Sequence, residues 1–225
     1  MLDNATEWAW LLHLTYRRAN AVRHTKDIFN MTERVFGFIG GDTGAWRIAA
    51  QSTLVGEPLP TVKMVDLVAG LAGEGPIPPG AAWCLRGITS NERYVTREEK
   101  GRLVAQQEGL GRERATCAAL IPLRKNAEWW ALTQDERRRV FEEQSAHIQI
   151  GMKYLPAIAR RLHHCRDLGT DEPFDFITWF EFAPANTAVF DALLRELRAS
   201  PEWRYVEREV ELRLTRALGP GPLRQ

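Results

Sequence analysis

The 225-residue chain has few cysteines, no long hydrophobic run and almost no net charge. Cys84, Cys117 and Cys165 are widely spaced and form no CxxC pair, so we expect reduced, buried thiols in a cytoplasmic protein, without a disulfide framework or a zinc site. The longest apolar run is far too short to span a bilayer. Thirty Lys and Arg residues nearly balance 29 Asp and Glu residues, and no basic block is concentrated enough to follow a phosphate backbone. These absences argue against a membrane or a nucleic acid as partner.

The chain does have 44% apolar residues, which is enough for a substantial core in one large domain or two fused halves. Near the N-terminus, an apolar patch at 8–14 is too short for a secretory signal and lacks a basic start. We expect residues 1–33 to be a flexible extension, or Met31 to be the true first residue. The folded part is expected to begin near Arg34.

The C-terminal half shows the clearest pattern. A capping box, TQDE at 133–136, marks the start of a helix, and Pro156 cannot continue that helix. Periodicity predicts a strand at 115–123, a helix at 133–154, strands at 157–164 and 174–182, a helix at 187–199 and a strand at 202–214. This β-α-β-β-α-β order is typical of a ferredoxin-like fold.

The N-terminal half is less regular, and its elements indicate an abbreviated copy of the same motif. The pattern predicts strands at 34–40 and 82–88, and helices at 61–71 and 97–107. We therefore predict an α+β protein of two fused ferredoxin-like halves, each an antiparallel sheet with helices on one face. Their expected bounds are 34–110 and 111–216, with a C-terminal tail at 217–225.

His147 is the first candidate functional residue, because its helical stripe should face the sheet. Gly151 lies four residues later on the same face and would let a flat ligand approach the helix closely. Glu181 shares an apolar strand face with Trp179, and a buried carboxylate needs a partner such as an imidazole N–H. The alternatives are a core histidine and a plain ion pair for Glu181.

Arg160 is the second candidate, since it alternates with Ile158 and Leu162 on one face of a strand. A guanidinium on an apolar face is costly without an anion. The alternative is a side chain that reaches the rim or pairs with a surface acid.

The stretch IPLRKNAEWW at 121–130 supplies two tryptophans after two cations. Trp129 and Trp130 could frame a large planar ligand, and Lys125 could meet a carboxylate such as a haem propionate. The alternative for the tryptophans is ordinary core packing. Gln107, at the end of the predicted 97–107 helix, is unremarkable alone.

Longer stretches carry a family resemblance. The segments ALIPLRKNAEWWALTQDERRRVFEEQSAHIQIGMKYLPAIARRLHHCRDLG and FDFITWFEFAP resemble the chlorite dismutase family, in particular its short, dimeric branch. GGDTGAW, WCLRGITSNERY and LGRERATCAALIP extend the resemblance, which covers roughly Phe36 to Thr215. Residues 1–30 depart from the short-branch pattern.

The resemblance implies a haem b enzyme that converts chlorite to chloride and dioxygen, through a ferryl and hypochlorite stage, and that forms a homodimer. Because no secretory signal is expected, detoxification of chlorite and a role with another oxidant substrate are both open. The other implied possibilities are a coprohaem decarboxylase-like or peroxidase-like enzyme, the former disfavoured by Arg160, and a non-enzymatic haem-binding protein. The implied site consists of His147 as iron ligand, Glu181 as its carboxylate partner, Arg160 as distal catalytic residue, Gln107 beside it, and Lys125, Trp129 and Trp130 in contact with haem.

Overall fold

A computed structural model of the chain describes residues 34–70, 77–89, 93–169 and 171–217. The expected N-terminal extension, the start at Met31 and nearly all of the C-terminal tail lie outside these residues. The division into halves at residue 110 stays a prediction.

Eight antiparallel strands form a closed barrel in the order β1-β3-β2-β8-β5-β7-β6-β4. The strands are β1 (Val35–Gly41), β2 (Trp46–Val55), β3 (Met64–Ala69), β4 (Ala81–Ile88), β5 (Cys117–Lys125), β6 (Ile158–His164), β7 (Phe176–Phe182) and β8 (Val206–Arg216). The α+β class with antiparallel pairing agrees with the prediction. Closure into one barrel was not predicted.

The barrel closes at two seams between the N-terminal and C-terminal strands. β2 and β8 pair along most of their length, whereas β4 and β6 pair only through Ile88 and His164. The interior is filled by one large apolar cluster that includes Phe38, Trp83, Trp179 and Leu212. The inside of the barrel is therefore packed core.

The helices are short except for two. They are α1 (Arg97–Gln106), α2 (Ala127–Ala131), α3 (Gln134–Arg138), α4 (His147–Lys153) and α5 (Thr187–Arg198), with a π-helical turn at Arg139–Gln144 and 3₁₀ turns at Pro184–Asn186 and Pro201–Tyr205. A second apolar cluster packs α4 and α5 on the outer face of the C-terminal strands, where Phe180 and Phe182 of β7 contact Phe190 of α5. None of the helices in the described ranges is long and apolar enough to cross a membrane.

Several elements differ from the predictions, among them the short helix α2, which was not predicted. The helix expected at 61–71 is wrong, because Met64–Ala69 forms strand β3, whose β-branched residues favour extended backbone. β2 was missed because most of its residues are exposed and show no alternation. The single helix expected at 133–154 is interrupted, because Ala146 has a left-handed backbone with φ of 51°. The remaining predicted strands and helices agree in type, with shifted ends.

Candidate functional site

His147 is the first residue of α4, and its imidazole is bonded to a buried carboxylate. Nδ1 lies 2.7 Å from Oε2 of Glu202, a residue of the 3₁₀ turn that precedes β8. The ring of Phe141 stacks on the imidazole with 4.3 Å between centroids. The orientation of His147 is therefore defined on one edge and one face.

The protonation of this pair follows from the charges around Glu202. Burial acts to raise the pKa of Glu202, but His147 and Lys125 outweigh it and lower the pKa from 4.5 to about 2. Glu202 is thus a carboxylate, and Nδ1–H of His147 donates to it. In a neutral imidazole this leaves the lone pair of Nε2 for another partner, and Nε2 bonds to no residue of the described ranges.

Glu181 was predicted to be the partner of His147, and the structure corrects this. Its carboxylate accepts from the backbone N–H of Gly111 at 2.6 Å and from Nε1 of Trp179 at 2.9 Å. The physical reason is the alternation of β7: Glu181 shares the face of Trp179, which points into the barrel, whereas α4 packs on the opposite face with Phe180. Glu181 and His147 therefore lie on opposite faces of the sheet.

Lys125 meets a carboxylate, as its charge suggested, but one from the protein. Its ammonium lies 2.8 Å from Oε1 of Glu202 and is only 3% exposed, and it sits 4.8 Å from the centre of the Trp129 ring. Lys125 therefore holds the second oxygen of the carboxylate that binds His147.

The two adjacent tryptophans have different surroundings. Trp129 is 1% exposed, and its Nε1–H has no hydrogen-bond partner within the part of the chain that the structure describes. Nε1 of Trp130 instead donates to Oδ2 of Asp175 at 3.1 Å, and the guanidinium of Arg166 lies 4.0 Å from its ring centre. Of the two tryptophans, only Trp129 has an indole N–H without a hydrogen-bond partner in the described residues.

Arg160 points toward the helix that carries His147. A Cβ atom on Gly151 would collide with the guanidinium and would lie 2.6 Å from its Nη2. Burial lowers the pKa of Arg160, and the described residues provide no ion-pair partner for it. The Arg160 guanidinium thus lies against α4 on the outer face of the sheet, about one helical turn after His147.

Gln107 lies next to Arg160, but it contacts the backbone. Its Nε2 donates to the carbonyl oxygen of Arg160 at 2.9 Å. This bond fixes the segment after α1 to strand β6 at the position of the arginine.

Sequence reasoning missed Glu202, the residue in direct contact with His147. Glu202 lies 55 positions away along the chain and belongs to no recognisable spacing motif. The one available signal is its position after Pro201 at the start of the segment EWRYVEREV, where the prediction already placed a strand.

Comparisons with known proteins identify the family of the chain. The sequence model of the chlorite dismutase family matches residues 80–218. The structure is similar to that of the dimeric chlorite dismutase from Nitrobacter winogradskyi, with 51% identity, 80% of this chain and 99% of that chain covered, and a TM-score of 0.74. It is also similar in fold to chlorite dismutase from Candidatus Nitrospira defluvii in complex with imidazole, with 21% identity, 84% of this chain and 92% of that chain covered, and a TM-score of 0.58.

Among curated proteins, a chlorite dismutase from Ideonella dechloratans is 32% identical over 126 residues, which are 54% of this chain and 40% of the relative. The match thus spans less than half of that curated relative. The chain belongs to the chlorite dismutase family.

Proposed function

We propose that the protein is a haem-dependent chlorite dismutase that converts chlorite to chloride and dioxygen. The observation that carries the proposal is the proximity of two unusual groups at α4: an imidazole held by a buried carboxylate, and, about one turn further on, a partly buried arginine with no anion among the described residues. The matches to chlorite dismutases support the assignment.

The residues present fit a haem group in three respects. Nε2 of His147 is free to bind a metal ion, because Nδ1 is committed to Glu202. Gly151 has no side chain, which leaves room beside α4 that the guanidinium of Arg160 occupies. The buried Nε1–H of Trp129 has no partner in the described residues and could donate to a polar group of a ligand. His147 would thus hold the iron, with Trp129 beside the ring.

When bound, haem supplies the redox chemistry that breaks the bonds of chlorite. Glu202 keeps Nδ1 of His147 protonated and the imidazole fixed, which makes the imidazole a stronger electron donor. Lys125 neutralises the second oxygen of Glu202 and so keeps that carboxylate ionised in a buried place. These two residues act on the proximal side of the site.

Arg160 acts on the anion. The Arg160 guanidinium, a cation without a counter-ion among the described residues, attracts chlorite into an apolar site. It also retains chlorite and the anions formed from it until they have reacted. Gln107 holds the backbone of Arg160 in place through the carbonyl oxygen. The side chain therefore projects from a fixed point of β6.

We also propose a homodimer, which is supported by the likeness to a dimeric enzyme that is 51% identical. The ferredoxin-like origin of the two halves is supported by the strand order. The four C-terminal strands lie in the order β8-β5-β7-β6, which is 4-1-3-2 when they are numbered along the chain. The four N-terminal strands lie in the order β4-β1-β3-β2, which is also 4-1-3-2. Cytoplasmic location stays a prediction.

The proposal is tested with haem-loaded protein in an oxygen electrode. Chlorite should release stoichiometric dioxygen, and Arg160→Ala should lower the rate while it leaves the haem spectrum nearly intact. Arg161→Ala is the matched control, because Arg161 is the next residue on the same strand and is exposed. Absence of oxygen release from haem-loaded parent protein would refute the proposed activity, and equal loss in both variants would refute the role of Arg160.

A further inference from the structure

The chain immediately before His147 has an unusual conformation. The π-helical turn at Arg139–Gln144 leads into Ser145, and Ala146 then adopts φ 51° and ψ 35°, in the left-handed region. This region is unfavourable for a residue with a Cβ atom, and it persists only where the surroundings enforce it. The left-handed residue directly precedes the proposed iron ligand.

The left-handed residue changes which way its two neighbours point. In a continuous α-helix, residues two positions apart are rotated by about 200° and face opposite sides. Here both Ser145 and His147 contact one residue: Oγ of Ser145 accepts from the backbone N–H of Glu202 at 2.9 Å, and Nδ1–H of His147 donates to the Glu202 carboxylate at 2.7 Å. The turn at Ala146 is what allows both contacts.

Glu142 fixes the same turn from the other side. Ala146 has no side-chain acceptor for the first amides of α4, and Oε2 of Glu142 accepts from the backbone N–H of Ile148 at 2.7 Å. Glu142 and Ser145 are both buried. One buried carboxylate therefore caps the helix that begins with His147, and one buried hydroxyl joins that helix to Glu202.

We propose that Ser145, Ala146 and Glu142 are positioning residues that hold the His147 imidazole and the Glu202 carboxylate in a single relative orientation. Two points on Glu202, its amide and its carboxylate, are tied to one three-residue segment. The bond at Ser145 and the cap at Ile148 fix the two backbone segments from which the His147 and Glu202 side chains extend, so the imidazole and the carboxylate meet between fixed points. This inference rests on the proposed function, because it explains the fixed orientation of His147 by the binding of iron to that residue.

The first test uses haem-loaded protein and a signal from the iron–histidine bond. Ser145→Ala should lower the iron–imidazole stretching frequency of the ferrous protein in resonance Raman spectra. It should also speed the transfer of haem to an acceptor protein about fivefold, the size of one buried hydrogen bond. Ser145→Thr retains a hydroxyl and should restore both values.

Two matched controls separate positioning from general packing. Ser200 lies beside the same 3₁₀ turn, and its buried Oγ has no partner within the described ranges, so Ser200→Ala should keep the parental frequency. Glu142→Ala should behave like Ser145→Ala, whereas Glu143→Ala, one residue on and exposed, should not. Parental frequency and haem transfer in Ser145→Ala and Glu142→Ala would overturn the proposal.

A second measurement uses haem-free protein, so that failure of the proposed function can be recognised. Hydrogen exchange of the Glu202 amide should accelerate in Ser145→Ala and stay parental in Ser200→Ala. If exchange behaves so but the parent binds no haem, the proposed function is refuted and, with it, the assignment of the rigidity to iron binding. If Ser145→Ala does not fold, Ser145→Val, which retains the shape of threonine, is compared with Ser145→Thr in the same two assays, and equal values would again overturn the proposal.

Discussion

The buried charges around Glu202 allow a quantitative prediction. Glu202 and Lys125 are 4% and 3% exposed, and the carboxylate bonds both Lys125 and His147 at 2.7 to 2.8 Å. Replacement of Glu202 by Ala leaves the buried ammonium of Lys125 without a carboxylate, with only the backbone oxygen of residue 202 at 3.4 Å. The loss of one member of such a buried pair costs about 3 to 5 kcal/mol. We expect the free energy of unfolding of haem-free Glu202→Ala to fall by that amount in urea denaturation.

A double variant shows whether the cost comes from the unpaired ammonium. Addition of Lys125→Met to Glu202→Ala removes the buried charge and should recover at least about 2 kcal/mol, since paired residues are not additive. Glu207→Ala is the control, because Glu207 forms an exposed pair with Arg124 and should cost below about 1 kcal/mol. A loss below 1 kcal/mol in Glu202→Ala, or no recovery in the double variant, would refute this reasoning.

Three further predictions concern other parts of the molecule. Gly151→Val should displace the Arg160 guanidinium and weaken haem binding by at least tenfold in a spectroscopic titration; unchanged affinity would contradict the role of Gly151. Burial lowers the pKa of His163 to about 4, below its unfolded value of 6.5. The stabilisation of the folded state by neutral His163 is therefore complete above pH 6.5 and is lost as the pH falls toward 4. We expect this to remove about 3 kcal/mol of stability by pH 4, and His163→Phe should show a shallower pH dependence in urea midpoints. Glu181→Gln should leave the haem spectrum parental, because Glu181 faces the barrel interior, and a changed spectrum would reopen its assignment.

The sequence predicted the C-terminal elements well because their apolar periodicity is set by two buried faces. The same periodicity placed Arg160 on the face of β6 that carries Ile158, and in the structure its guanidinium lies against Gly151 of α4. It failed for β2, whose residues are mostly exposed, and for the break at Ala146, since alanine is a strong helix former and gives no local signal for a left-handed backbone.

The partner of His147 could not be predicted for a topological reason. An alternating strand has two equivalent faces in sequence, and only closure of the barrel decides which one lies inside. Glu181 and Phe180 are neighbours on β7, yet closure places the first in the barrel and the second under the helices. Glu202 lies in an irregular turn, where neither helical nor strand periodicity applies.

The two faces of β7 have an evolutionary consequence. Residues such as Ile177 and Trp179 maintain the barrel from within, while Phe180 and Phe182 form the floor beneath α4. Substitutions on one face leave the contacts of the other largely untouched, so the external site can drift toward new ligands without loss of the scaffold. One face of β7 therefore stabilises the barrel, and the other face supports the candidate site.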